Sequence, residues 1–84
     1  MEKSIFTAEY RVVCRLLREK RESAGLTQVD MAERIGETQS YVSKCERGER
    51  RLDIVQLRVF CNAMSLPLGD FVKEFERLTA RTKR

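Results

Sequence analysis

The chain has 84 residues, enough for one domain with its own core. Lys and Arg number 17 against 13 Asp and Glu, a formal charge of +4, which suits a surface that meets a polyanion but does not establish one. The chain has no histidine, so the commonest general acid and base is missing; no glycine-rich phosphate loop or paired-carboxylate pattern stands out, and no apolar run is long enough for a signal peptide or a membrane span, so the sequence points away from an enzyme and from a membrane protein.

Taken in chain order, Met1 to Phe6 read as a short arm. Thr7 is placed to cap a first helix over 7–23, in which Tyr10, Val13, Cys14 and Leu17 recur at helical spacing, and Gly25 supplies its break. Thr27 is placed to cap a second helix over 28–35. Asp30 completes a capping-box pattern there, and Met31, Ala32 and Ile35 fall on one side. Gly36 follows at once, where a left-handed turn is cheapest. Thr38 can cap a third helix over 39–47, with Val42 and Cys45 facing inward at i and i+3, and Gly48 ends it. The basic loop Arg47–Arg51 leads to Asp53, an N-cap for a fourth helix over 54–64 with Ile54, Leu57, Phe60, Cys61 and Met64 as its apolar face. Ser65, Leu66 and Pro67 form the next break. Pro67 suits the start of a fifth helix over 68–78, which carries the apolar stripe Phe71, Val72, Phe75 and Leu78. Residues 79–84 read as a basic tail. The expectation is a single all-α domain over 1–84 with five helices and no strands.

The cysteines Cys14, Cys45 and Cys61 are odd in number, widely spaced and without a CxxC pair. All three fall within apolar periodic segments, so they read as small buried hydrophobes in a reducing compartment, the cytoplasm, with redox sensing as the alternative. Three scattered thiols without histidine supply no recognisable metal site, and no cofactor is expected.

The second and third helices, joined across a short turn containing Gly36, match a DNA-binding helix-turn-helix. The joint pattern Gln28, Ala32, Gly36, Gln39, Val42, Glu46 and Gly48 resembles the Cro/repressor-type helix-turn-helix family, also called the XRE family, over Leu16 to Phe71. At about 100° per residue, Gln39, Ser40, Ser43, Lys44 and Arg47 span an arc of about 140° opposite Val42 and Cys45. That face is short, polar and hydrogen-bonding. Glutamine can bond adenine N6 and N7, lysine can donate to guanine, and Ser40 and Ser43 permit close approach. The resemblance implies that Gln39, Ser40 and Lys44 read bases, and that Gln28 holds a phosphate and braces Gln39; Ser43 joins the base-reading set from its place on the same arc. Thr38, Tyr41, Arg47, Arg50 and Arg51 are the remaining candidates for backbone contact. Glu46 sits near the C-terminal end of a helix, where the helix dipole disfavours an anion. Arg21 matches the family's arginine that pairs with this glutamate, which implies an Arg21–Glu46 ion pair shielded from water.

Some residues depart from the family pattern. Glu37 replaces an apolar turn residue, Cys45 a larger side chain, Lys20 a leucine and Ser65 a glycine. The functional expectation is a sequence-specific transcriptional regulator that binds double-stranded, palindromic DNA as a homodimer, with Phe71, Val72, Phe75 and Leu78 as the candidate dimer surface. A protein partner is one route by which its activity could be controlled. The rival is a protein-interaction adaptor that keeps the helical scaffold and does not read DNA, a reading that Glu37 and the modest charge favour.

Overall fold

The computed structural model describes residues 3–80, with side chains from Thr7 onward, as five α-helices and no strand among these residues. They are α1 (Lys3–Ser23), α2 (Gln28–Ile35), α3 (Gln39–Glu46), α4 (Ile54–Ala63) and α5 (Leu68–Thr79). The all-α, repressor-like architecture is the one expected. The first helix is longer than expected. It is already formed at Lys3, so Thr7 lies inside it rather than capping it, and most of the expected arm is helical. Met1, Glu2 and most of the expected basic tail lie outside the described residues.

Three of the helix starts follow the cap chemistry of the sequence. Thr27 Oγ1 accepts from Asp30 N at 3.0 Å while Asp30 Oδ2 accepts from Thr27 N at 3.0 Å, a reciprocal box that satisfies two amides with no intrahelical partner. Asp53 and Gln56 repeat it at α4, at 2.8 and 2.9 Å. Thr38 caps α3 by accepting from Tyr41 N at 3.1 Å. Pro67 precedes α5 and gives no side-chain cap; it stops the chain from continuing as helix and sets the entry angle.

The stops share one device. The amides of Leu26, Glu37, Glu49 and Leu66 each reach back to a carbonyl five residues earlier, at 3.1, 2.9, 2.9 and 2.9 Å. This closure needs a left-handed residue just before the donor. Gly25, Gly36 and Gly48 supply it at φ 78°, 72° and 80°, and Ser65 supplies the fourth at φ 56° without a glycine's freedom.

The core gathers one face from every helix. Leu16 and Leu17 of α1, Met31 and Ala32 of α2, Val42 and Cys45 of α3, Phe60, Cys61 and Met64 from α4 and its end, and Phe71 of α5 are all buried in one cluster. The small Ala32 is buried within this cluster. Arg34 Nη1 donates to the Ala63 carbonyl at 2.8 Å, tying α2 to the end of α4.

One expectation is corrected here. Ile54 was placed on the inner face of α4, but it is 60 % exposed, because the core takes its side chains from the far end of that helix. The stripe on α5 is largely turned inward. Phe71 is 1 % exposed in the core, Phe75 and Leu78 pack against it half-buried, and only Val72 stands out to solvent. The hydrophobic gain of that face is already taken within the chain, where α5 packs on α1 and α4.

Candidate nucleic-acid interface

The outer face of α3 is held from behind by a line of side chains from three helices. Arg21, late in α1, donates from Nε to Glu46 Oε2 at 2.6 Å and from Nη2 to Glu46 Oε1 at 3.1 Å. Its third nitrogen donates to the Leu26 carbonyl at 2.8 Å. Glu46 also accepts from Gln28 Nε2 at 3.0 Å, and Gln28 Oε1 accepts from Gln39 Nε2 at 2.6 Å. The side chains of Arg21 and Glu46 are only 8 % and 4 % exposed, so the pair is withdrawn from water. The fork geometry matches two guanidinium nitrogens to two carboxylate oxygens, and the hydrogen bonds to Glu46 hold the Arg21 guanidinium above its ordinary range.

This line fixes what Gln39 presents. One proton of its Nε2 is committed to Gln28, which leaves the second proton and Oε1. Together these are the donor and acceptor that the N7 and N6 edge of adenine requires. Gln39, Ser40 and Lys44 are exposed. Ser40 and Lys44 share a shallow cleft of about 300 Å³ with Thr38, Tyr41 and Arg50. Ser43 is different. It is half-buried, and its hydroxyl accepts from Arg47 Nη1, so it is tied to the helix end rather than standing clear on the outer face.

The loop that follows α3 carries the candidate phosphate contacts, and two tyrosines shape it. Tyr10 of α1 accepts from Leu52 N at 3.0 Å and donates to the Arg50 carbonyl at 3.5 Å. The Arg51 guanidinium lies 4.4 Å from the Tyr10 ring centre, and Arg50 lies 5.1 Å from that of Tyr41. Tyr41 in turn stacks on Phe60 at 6.3 Å. Burial pushes the hydroxyls of both tyrosines above their ordinary range, so both stay neutral donors. Arg47 is held bidentately by Glu49 at 3.0 and 3.1 Å, which lowers the Glu49 carboxyl and raises the guanidinium. Thr38 Oγ1 is engaged in capping α3. Tyr10 was read in the sequence only as part of an apolar stripe. Its loop contacts join residues forty positions apart, and a tyrosine at helical spacing gives no local sign of them.

All three cysteines are buried, and burial raises each thiol, Cys61 to about 11. Among the described residues no cluster of His, Cys, Asp or Glu could hold a metal ion, and no helix is long and apolar enough to cross a membrane.

A helix-turn-helix family model matches residues 17–71. An XRE-family-like protein from Pseudomonas syringae pv. tomato str. DC3000 superposes with a TM-score of 0.84 at 39 % identity, over 92 % of this chain and 94 % of that one. The clp gene regulator ClgR from Corynebacterium glutamicum superposes with a TM-score of 0.77 at 24 % identity, over 88 % of this chain and 79 % of that one. None of the curated proteins matches the chain. Motif, helix order and the 39 % identical relative agree: the chain belongs to the XRE family of helix-turn-helix DNA-binding transcriptional regulators.

Proposed function

We propose that the protein is a sequence-specific regulator that lays α3 in the major groove and reads bases with Gln39, Ser40 and Lys44, with Ser43 holding Arg47 at the end of the helix. The observation that carries this reading is the line Arg21–Glu46–Gln28–Gln39. It spends a buried ion pair on orienting one exposed amide, an arrangement with a purpose if that amide meets a hydrogen-bonding edge of fixed geometry. Gln28 at the start of α2, together with Tyr41, Arg47, Arg50 and Arg51, meets phosphates and sets register; Thr38 adds only what its capping role leaves.

One such head makes few base contacts, so specific affinity calls for two copies on a palindromic site, with half-sites about 34 Å apart. Of the α5 stripe, Val72 is the member exposed to solvent. Ile54, Val55 and Val59 are exposed on α4, and the first two open that helix directly after the loop that carries Arg50 and Arg51. We place the contact with a second copy there.

The test is binding to random-sequence duplex DNA over a salt series. The reading expects affinity to fall steeply with salt, as each phosphate contact releases counterions. Affinity for duplex that is absent or flat with salt contradicts it and favours the adaptor, for which the exposed Glu37 in the turn is the supporting feature.

A further inference from the structure

We infer that the outer stripe of α1, Arg11, Arg15 and Arg18, is a second phosphate-binding surface that grips the DNA backbone beyond the stretch read by α3. The inference rests on the DNA reading above and extends it to a helix outside the helix-turn-helix. The three arginines stand at i, i+4 and i+7, one stripe of a helix. They form one wall of a cleft of about 680 Å³, and Arg47 and Arg51 stand on the other. The acid lining this cleft, Glu46, is already neutralised by Arg21.

Arg47 belongs to this cleft and to the end of α3, and its partner Glu49 is as exposed as it is, so the arginines run from the reading face to α1. The walls are firmly set. A Cβ on Gly48 would lie 3.6 Å from Cys14 Sγ, Tyr10 bonds the loop backbone, and Arg51 rests on the Tyr10 ring. Arg15 and Arg18 are paired with Glu19 at 4.0 Å and Glu22 at 3.1 Å, but all four side chains are more than half exposed. Such pairs contribute little and exchange readily for a phosphate. From Arg11 to Arg18 the helix rises about 10 Å, close to three base-pair rises along the duplex axis.

The experiment compares the full chain with the triple variant Arg11→Gln, Arg15→Gln, Arg18→Gln in duplex binding across a salt series, with binding-site selection alongside. Since each phosphate contact contributes roughly 0.9 to the logarithmic salt slope, the triple variant is expected to bind with a slope shallower by about 2–3 and with unchanged base preferences. Lysine at the same three positions restores the slope, because phosphate binding needs the charge rather than the fork. A glutamine variant that keeps the wild-type slope overturns the inference and leaves the DNA reading intact. A variant that keeps the slope but loses affinity for polyglutamate overturns it in favour of an acidic protein partner. A wild-type chain with no salt-dependent duplex affinity overturns the DNA reading and this inference together.

Discussion

Glu46 places a carboxylate at the C-terminal end of a helix whose dipole repels it, on the element proposed to approach phosphates. Arg21 and Gln28 compensate it, and the same contacts orient Gln39. Replacing Arg21 by alanine leaves Glu46 buried without a counter-charge, and replacing Glu46 leaves Arg21 with only the exposed Glu22 at 3.9 Å; either should cost about 3 kcal/mol in denaturant unfolding. Unchanged unfolding midpoints in both variants would show that the pair contributes nothing. Cys61 gives a second expectation at this scale. Its thiol is 0 % exposed and is raised by burial from 9.0 to about 11, so the folded state favours the neutral form. The stability this brings is present below about pH 9 and lost as pH rises through 11, on the order of 2 kcal/mol. Thermal melts from pH 8 to 11 should fall less steeply for Cys61→Ala than for the wild type, although that variant starts lower. Parallel profiles would refute the assignment. At the residue scale the legible positions were those with a local or family signature, such as Gln28, Gln39 and Glu46. Ser43's bond to Arg47 and Tyr10's grip on the loop depend on side-chain paths that no spacing encodes.

Helices α2, α3 and α4 were legible because caps and glycines are local chemistry. Thr27, Thr38 and Asp53 cap as read, and Gly25, Gly36 and Gly48 stop as read. The start of α1 was misread because Thr7 has the right residue type for a cap, whereas the helix extends back to Lys3 through residues that suit a helix equally well. The α5 stripe was legible as apolar, but periodicity cannot say whether an apolar face meets its own chain or another. Here it meets α1 and α4, so Phe71→Ala should unfold the domain more easily by about 3–5 kcal/mol, while Val72→Asp should change stability little. Ser65 supplies a converse test. It holds a left-handed φ of 56° without being glycine. That strain costs about 1–2 kcal/mol, against a chain-entropy cost of about 0.5–1 kcal/mol for glycine. Ser65→Gly should therefore stabilise the domain by roughly 0.5–1 kcal/mol. A lower melting temperature for Ser65→Gly would mean that the serine side chain contributes more than its backbone strain costs.

As a whole molecule the domain is a small helical body, with a radius of gyration of 12.7 Å, that presents one polar helix face and a basic loop beside it. Assembly on the α4 face predicts that sedimentation on a palindromic duplex shows two chains per duplex, and that Val55→Asp reduces this to one while Val72→Asp does not. Two chains with every variant would place the contact elsewhere. The central claim is that the side chains fixed on α3 read bases. It is tested most directly by binding-site selection on the wild type, Lys44→Ala, Gln39→Ala and Arg50→Ala. The account predicts that the first two variants each relax preference at one base pair, at about 1–3 kcal/mol on the preferred site, whereas Arg50→Ala weakens all duplexes alike. Lys44 and Gln39 variants that keep the wild-type base preferences would contradict it.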